Sequence, residues 1–330
     1  MKKLLTTTAL VALVASSTAS LAETKITGSI EQTFISTSFD RAADKISGTS
    51  AIGQETNLAI TNTKALSNGW TVSGGFRLEN GSVDSENITL SNGGFSIHTG
   101  SDTGSNIHTN INPRVGEQPG DIISGEQASD GFVVGTTGDA QAHDVQHVGV
   151  EFKADMGKIF LNYAPDSTSA ASATQANVAD GGPSVTEIGF QGSLGVAGLN
   201  VLVGYEEQSG NNGSSDISND VISASYTQGP VAVGFAYRTK DDGSVATNAA
   251  DKVQAYSIAY KVSNDISVSY ENVTVEFEGS TKTDEEYDQI SLGTNFGGLG
   301  FSIDYVRADN VAGTAGADRE AVQLRTVYSF

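Results

Sequence analysis

Hydrophobic and polar residues alternate along most of the chain from about residue 23 onward. In the stretch 299–305, for example, Leu299, Phe301, Ile303 and Tyr305 are separated by glycine, serine and aspartate. A side-chain period of two residues is typical of β-strands. The pattern predicts about sixteen strands, near residues 24–36, 50–62, 69–79, 85–91, 94–100, 146–154, 158–164, 185–194, 198–207, 219–227, 230–239, 252–261, 265–276, 286–295, 299–308 and 319–330. The sequence therefore predicts an all-β fold.

The connections between these strands are predicted to alternate strictly between tight turns and long polar loops. The tight turns centre on residues 67–69, 92–94, 155–157, 195–198, 228–230, 263–265 and 296–298, which are rich in glycine, asparagine and aspartate. The long loops include residues 165–184, 209–219, 240–251 and 308–318. In an up-and-down antiparallel meander, every second connection lies at the same end, so one end of the sheet is short and the other is elaborated.

The apolar face of the predicted strands is rich in aromatic residues, whereas the other face carries Ser, Thr, Gly, Asp, Glu and Arg. About sixteen strands close around an aqueous channel rather than around a filled core. The arrangement that satisfies both observations is a transmembrane antiparallel up-and-down β-barrel, with apolar residues facing lipid and polar residues facing water.

Composition excludes several classes of protein. The chain carries 18 basic and 39 acidic side chains, a formal charge of −21, which opposes nucleic-acid binding because contacts with phosphates dominate that affinity. It has no cysteine, so it has no disulfides, no thiol nucleophile and no cysteine-based metal centre. Only 38% of its residues are hydrophobic, which disfavours a large dry core.

The first 22 residues have the features of a secretory signal peptide. Lys2 and Lys3 precede an apolar stretch from residue 4 to 15, and Ser20-Leu21-Ala22 forms a small-x-small cleavage site. The apolar stretch is shorter than the roughly 20 residues that a spanning helix needs. We therefore expect residues 1–22 to be cleaved and residues 23–330 to form a single barrel domain, with 16 basic against 39 acidic side chains and a charge of −23.

The chain resembles the trimeric general diffusion porins of Gram-negative outer membranes, and is most similar to the alphaproteobacterial type. The resemblance rests on the signal peptide, the sixteen strands and a last strand in which Val322, Leu324, Tyr328 and Phe330 alternate up to a terminal aromatic residue. It implies a homotrimer that lets small hydrophilic solutes and ions diffuse passively and uses no cofactor. It also implies contact with outer-membrane lipid and lipopolysaccharide, and assigns Phe330 and Tyr328 to the signal read by the barrel-assembly machinery.

The longest connection, at about residues 101–145, follows the fifth strand. In the porins that the chain resembles, the corresponding loop folds into the barrel, where its carboxylates face basic residues of the wall. Here the segment has a single arginine, Arg114, and its carboxylates are Asp102, Glu117, Asp121, Glu126, Asp130, Asp139 and Asp144. We expect Glu117, Asp121, Glu126 and Asp130 to form the acidic side of a constriction, which would impose a transverse field on passing ions. The alternative is a solvated external loop.

Strand alternation places four basic residues on the inward face. Arg77 and Arg325 are expected on the same side of the lumen near mid-height, and are the first candidates for the basic side of the constriction. Arg238 and Lys153 are further pore-lining candidates, although positions at the rim or pairing with loops remain open for both.

Metal binding has weak support in the sequence. His143 and His147 have the i, i+4 spacing of a helical zinc site, but they precede a strand and no third ligand is evident. Acidic loops such as 241–243 and 284–286 carry the oxygen ligands that calcium prefers, and are more often simply solvated. The sequence therefore does not identify a metal site.

The sequence also bears on three other functions. No Gly-x-Ser-x-Gly elbow occurs, which disfavours an enzyme. No Gly-Gly-x-Gly-x-Asp repeat occurs, which disfavours a secreted, acidic, calcium-binding adhesin. A substrate-specific channel with the same barrel fold is the main alternative to a general porin, and saturable block by its solute would distinguish it.

Overall fold

The computed structural model describes residues 23–40, 49–107, 146–165, 184–209, 216–241, 250–277 and 282–330. These residues form sixteen strands: β1 (Glu23–Asp40), β2 (Thr49–Ala65), β3 (Thr71–Glu79), β4 (Ser82–Asn92), β5 (Phe95–Gly100), β6 (His147–Ala154), β7 (Gly157–Ala164), β8 (Val185–Gly192), β9 (Leu199–Gln208), β10 (Ile217–Gln228), β11 (Val231–Asp241), β12 (Ala250–Lys261), β13 (Ile266–Phe277), β14 (Glu285–Phe296), β15 (Leu299–Asp309) and β16 (Asp318–Ser329). Each corresponds to a predicted strand, and the ends differ by at most four residues. The predicted all-β class and strand number are confirmed.

The sheet is a closed barrel in which every strand pairs antiparallel with its neighbours in sequence, and β1 pairs with β16. At the closure Thr33 lies opposite both Arg325 of β16 and Gly53 of β2. The terminal residue extends this seam, because the backbones of Gly28 and Phe330 exchange hydrogen bonds of 2.9 and 3.0 Å. Closure leaves no unpaired strand edge.

The outer face of the barrel is apolar. Large hydrophobic side chains are exposed at alternate positions on almost every strand, for example Ile26, Ile30 and Phe34 on β1 and Leu299, Phe301 and Ile303 on β15. Exposure of so much apolar surface is expected where lipid rather than water is the solvent. Among the described residues no helix is both long and apolar enough to cross a membrane.

Tight turns gather at one end, as predicted, but the strict alternation with long loops is wrong at one position. Only Asn80 and Gly81 connect β3 to β4, at the end where long loops were expected. Both residues have positive φ, 48° and 85°, as a two-residue type I′ hairpin requires. A β-bulge next to this turn shifts the register between Arg77 and Leu78.

The inward face is less uniformly polar than the alternation predicts. Toward the end opposite most tight turns, the interior side of β9–β16 carries a buried apolar cluster that includes Leu202, Val253, Val273, Tyr287 and Val306. These side chains are at most 3% exposed. The simple division into apolar outside and polar inside therefore fails over this part of the wall.

The seam gives a test of closure. Gly28 is on the outer face, and a Cβ there would lie 2.6 Å from the ring of Phe330 and 2.7 Å from the carbonyl oxygen of Asn57. We expect Gly28→Ala to lower the temperature at which the barrel loses its compact electrophoretic mobility in detergent by several degrees, because overpacking costs roughly 1–3 kcal/mol.

The matched control is Gly74→Ala, which adds a methyl group on the outer face of β3 with its nearest neighbour at 3.5 Å. It should melt like the parent. Equal melting of the two variants would contradict the role assigned to the contact between Gly28 and Phe330.

Candidate functional site

The accessible part of the inner wall lies on one side of the barrel. Inward-facing residues of β1–β3, and of β16 near its end, retain contact with solvent. On β7–β15 the inward residues beyond the tight-turn end are buried, as in Asn162, Glu187, Glu206, Ser223, Ala236, Ala255, Glu271, Gln289 and Asp304. Among the described residues, the accessible inner wall at this height is therefore that of β1–β3 and β16.

Arg77 projects into this accessible region. The bulge leaves Asp84 as the extra residue of β4 beside Arg77, and the guanidinium binds the Asp84 carboxylate through Nε at 2.6 Å and through Nη2. Asp102, just beyond β5, lies 3.6 Å from the same guanidinium. The side chain of Arg77 is nevertheless 44% exposed, so its charge remains in contact with water.

Arg325 also faces the interior, and its Nη2 lies 2.5 Å from Oε2 of Glu31 on β1. Glu31 is directly opposite Glu55 of β2. Glu79 of β3 is opposite Asn57, two positions from Glu55 on the same face, which makes Glu55 and Glu79 diagonal neighbours.

These residues form a wall cluster of five carboxylates and two guanidiniums: Glu31, Glu55, Glu79, Asp84, Asp102, Arg77 and Arg325. Its formal charge is −3. Alternation predicts that both arginines face inward, but it does not predict that each is paired with an acid of the wall itself.

The other two basic candidates have different environments. Arg238 faces inward on β11, but it is only 3% exposed and donates to Oδ1 of Asn219 from Nε at 3.2 Å and Nη2 at 2.7 Å. Its assignment as a pore-lining residue is therefore corrected, because its charge is buried against β10. Lys153 is exposed next to the turn between β6 and β7, which places it at the rim.

The four acidic candidates of the long connection, Glu117, Asp121, Glu126 and Asp130, lie outside the described residues, and so does Arg114. The first seven residues of that connection, Ser101–Ile107, are described and are called here the docked segment. Ser101, Thr103, Ser105 and Ile107 are buried, whereas Asp102 and Gly104 are exposed. The docked segment therefore packs against the wall with alternate residues.

Side chains of the inner wall bind the backbone of the docked segment. Nε2 of His147 lies 3.2 Å from the Thr103 carbonyl oxygen. The Ser105 N–H donates to Oε1 of Glu151 at 2.6 Å, and Nδ2 of Asn162 donates to the Ser105 carbonyl at 2.7 Å.

Further along the docked segment, the Ile107 N–H donates to Oε1 of Glu187 at 3.2 Å. The Ile107 side chain lies over Gly204, where a Cβ would approach within 2.2 Å. The segment thus crosses the inner face from β6 to β9, and wall side chains satisfy the backbone groups that a neighbouring strand would satisfy in a sheet.

Several of these wall residues share one row across the sheet. His98, Gly149, Asn162, Glu187 and Glu206 are successive cross-strand partners on β5 to β9. His98 bonds to Asn162 at 3.1 Å across the bare backbone of Gly149, and Asn162 donates to Glu187 at 3.0 Å. The alternation within each strand places each of these residues on the inward face. Only the register between strands brings them into one row, so the sequence pattern of one strand does not identify the row.

No group of three histidine, aspartate or glutamate side chains is arranged to hold a metal ion in the described part of the chain. His143, half of the proposed helical pair, lies outside that part. His147 instead belongs to β6, and its ring makes an edge-to-face contact with His98, with centroids 5.4 Å apart.

A family model described as Gram-negative porin matches residues 7–330. The chain belongs to the Gram-negative porin family. It is accordingly an outer-membrane porin that forms a channel, and both the family and the fold are those of non-enzymatic channels. No curated protein matches the chain in sequence.

Solved porin structures share the fold. A porin refined at 1.8 Å resolution superposes with a TM-score of 0.67 at 12% identity. One variant of the Rh. blastica porin gives 0.63 at 12% identity, and a triple mutant of the Rhodopseudomonas blastica porin gives 0.60 at 12% identity. Each match covers 93% of this chain and 100% of the other. At such low identity the likeness extends to the fold and not to individual residues.

The hydrogen bond between His98 and Asn162 across Gly149 allows the binding of the docked segment to the wall to be tested. A Cβ at Gly149 would lie 2.1 Å from Nε2 of His98 and 2.2 Å from Oδ1 of Asn162, so Gly149→Ala must break their hydrogen bond. We expect hydrogen exchange of the Ser105 and Ile107 amides to become at least about fivefold faster, since this loss of packing and bonding costs roughly 1–3 kcal/mol.

Gly300→Ala is the matched control, because Gly300 also faces inward and its Cβ would meet nothing closer than 3.6 Å. Exchange of the two amides should be unchanged in this variant. Unchanged exchange in Gly149→Ala as well would contradict the proposed support of Asn162 by His98.

Proposed function

We propose that this porin is a general diffusion channel whose narrowest part lies between the wall cluster and the connection that begins with the docked segment. The observation that carries the proposal is the accessible, charged wall around Arg77 and Arg325, next to a segment bound to the interior of the barrel. Small hydrophilic solutes and ions would pass down their gradients, without a cofactor and without catalysis.

The opposite side of the constriction is assigned to Glu117, Asp121, Glu126 and Asp130. Two features support this assignment. The docked segment leads the connection along the inner wall, and Asp102 at its start already approaches Arg77 to 3.6 Å. The proposal for these four carboxylates rests on their place in the same connection.

The biogenesis and assembly of the channel are proposed from the family. Porins of this family and fold are typically trimeric, and we propose a homotrimer here. Residues 1–22 would be removed as a signal peptide, and the exposed terminal pair Tyr328 and Phe330, with ring centroids 6.2 Å apart, would be read by the barrel-assembly machinery. Lipopolysaccharide would contact the outer surface, with calcium at external acidic loops as a further proposal.

Planar-bilayer recording of the purified, refolded protein tests the channel. We expect stepwise openings in groups of three and a conductance that rises with salt without saturating. Saturable block by one solute would favour a substrate-specific channel, and a folded protein that never conducts would reject the proposal.

The basic side of the constriction can be tested by removing Arg77 and Arg325. In Arg77→Ala/Arg325→Ala the wall keeps its five carboxylates. The reversal potential in a salt gradient should therefore move toward the equilibrium potential of the cation. A charge acting over about 8 Å in water changes an ion's energy by about 0.5 kcal/mol, or roughly twofold in the permeability ratio. An unchanged potential would remove the two arginines from the narrow part.

The formal charge of −3 on the wall cluster favours cations, and Glu55 and Glu79 are its carboxylates without a salt bridge to a basic residue among the described residues. Glu55→Gln/Glu79→Gln should therefore lower the cation-to-anion permeability ratio by at least about twofold. Reversal potentials measure the effect.

Glu86→Gln controls for net charge, because Glu86 lies on the outer face of β4 opposite Phe76. Its reversal potential should equal that of the parent. An effect of Glu86→Gln as large as that of an inner-wall change would show that overall charge, and not the wall cluster, determines selectivity.

A further inference from the structure

Four lysines face the lumen at the end of the barrel where the tight turns lie. Lys25 is close to the start of β1, Lys153 and Lys158 flank the turn between β6 and β7, and Lys261 is the last residue of β12. An adjacent residue of each strand is a large apolar side chain exposed on the outer face, so alternation places all four lysines inward. None of them belongs to the wall cluster.

Two of these lysines form a pair. Lys153 and Lys158 are direct cross-strand partners, so their ammonium groups extend from neighbouring positions of one face. Like charges directly opposite each other destabilise a sheet, and neither lysine forms a salt bridge within the described ranges. Gln191 of β8 is the next residue of the row and adds an amide that can donate. One anion can therefore be shared by several donors of this row.

Lys261 borders a cavity in the inner wall of β12–β16. The cavity has a volume of about 590 Å³. Ser267, Gly293, Ser302 and Arg325, which also line it, follow Lys261 as successive cross-strand partners. The small side chains of this row leave open space beside the ammonium group, and the serine hydroxyls can donate hydrogen bonds to an anion.

The carboxylates at this end are few. Asp155 and Asp265 lie in the turns, Glu23 is the first residue of β1, and Glu151 accepts the backbone N–H of Ser105. The two inward positions nearest to the tight turn on each strand carry four lysines and two carboxylates, a formal charge of +2, and are otherwise uncharged. The wall cluster lies farther from the turns and has a formal charge of −3, so the sign of the charge changes along the lumen.

We propose that this end of the lumen, here called the basic mouth and formed by Lys25, Lys153, Lys158 and Lys261, binds small polyvalent anions. Their chemical class is that of solutes with several phosphate or carboxylate groups. Lys153 and Lys158 hold the anion directly, and Lys25 and Lys261 add positive potential from other sides of the barrel. Short turns of outer-membrane barrels face the periplasm, so the site receives anions from that side. The inference adds a ligand to the proposed channel, and its effect on current rests on that function.

The charges select polyvalent anions over chloride. The Coulomb energy rises with the product of the two charges, so the lysine pair holds an anion with several charges more firmly than a monovalent one. Farther along the lumen, the carboxylates of the wall cluster repel the same anion. A bound anion therefore stays in the basic mouth, where it obstructs the path of cations.

Addition of inorganic tripolyphosphate to one side of a planar bilayer tests the site. The half-blocking concentration should be at least about tenfold lower from the side of the tight turns, because the wall cluster separates the other side from the basic mouth. Raising the salt from about 0.1 to about 1 M should weaken the block at least about tenfold, because the Debye length falls from about 10 to about 3 Å. Equal block from both sides would overturn the proposal.

An engineered thiol identifies the side of the tight turns. The chain has no cysteine, so Ser67→Cys supplies a single one in the exposed turn between β2 and β3. After biotinylation of this variant, streptavidin should reduce the current only when it is added to the side that holds the turn.

Lys153→Gln/Lys158→Gln removes the pair and keeps a polar side chain at both positions. The half-blocking concentration from the side of the tight turns should rise at least about tenfold, and Lys153→Arg/Lys158→Arg should restore it to within about threefold. The melting temperature of the glutamine variant should not fall, because opposed like charges have been removed. Unchanged block in the glutamine variant would overturn the proposal.

Lys64→Gln/Lys252→Gln is the matched control. Both lysines are exposed on the outer face, Lys64 opposite Val72 and Lys252 opposite Glu276. This variant loses the same charge as the glutamine variant of the pair and should be blocked like the parent. An equal loss of block in the control would overturn the proposal, because overall charge would then account for the effect.

Citrate in place of tripolyphosphate separates the two kinds of anionic group. Block by both supports a site for polyvalent anions in general, and block by one of them assigns the site to phosphate or to carboxylate groups. Block by neither would overturn the proposal.

Titration calorimetry of the barrel in detergent separates this inference from the function. We expect saturable binding of tripolyphosphate to the parent, at least about tenfold weaker in Lys153→Gln/Lys158→Gln. A channel that conducts but neither binds tripolyphosphate nor is blocked by it would leave the porin intact and reject the basic mouth. A protein that never conducts would reject the channel, while calorimetry would still test the site.

Discussion

The constraint on which the structure depends is that a backbone crossing the hydrocarbon layer of a membrane must satisfy its own hydrogen bonds. A helix does this within one segment, and a sheet can do it only by closing. Here the last strand pairs with the first along its whole length, from Ser29 opposite Ser329 to Asp40 opposite Asp318. The bonds between Gly28 and Phe330 continue the seam to the last residue. The outer face of the closed barrel then contacts lipid, which favours apolar side chains there.

Backbone hydrogen-bonding groups must also be satisfied in the interior of the barrel. The docked segment enters a space with no free strand edge, so its N–H and C=O groups must find side chains or water. Glu151, Asn162, Glu187 and His147 meet that need with acceptors and donors fixed on rigid strands. These wall residues are covered by the docked segment that they hold. The position of the docked segment therefore depends on the packing of the side chains behind it on the wall.

The sequence predicts the barrel well, because each strand repeats the same period-two pattern and each tight turn has its own chemistry. It also predicts that Arg77, Arg238, Lys153 and Arg325 point inward, since this depends only on alternation within one strand. It does not predict that Arg238 is buried against Asn219 or that Arg77 meets Asp84, because those contacts depend on register and on a bulge between two strands. The inward apolar cluster around Val253, Val273 and Val306 is missed for a related reason. Alternation within a strand distinguishes its two faces. Only the assembled barrel shows that part of the inner face is buried.

Register also explains why the spacing of the histidines in the sequence is misleading. In sequence, His147 is four residues from His143, a spacing that suggests a shared helical face. In the barrel it belongs to a strand, where its ring contacts that of His98, 49 positions earlier. The row from His98 to Glu206 forms because Gly149 has no side chain to separate His98 from Asn162. A glycine at one position of one strand thus creates a contact between its two neighbouring strands, and through Asn162 that contact reaches the carboxylate that binds Ile107. The wall supports the docked segment because its register aligns these residues, and the sequence of a single strand does not reveal that alignment.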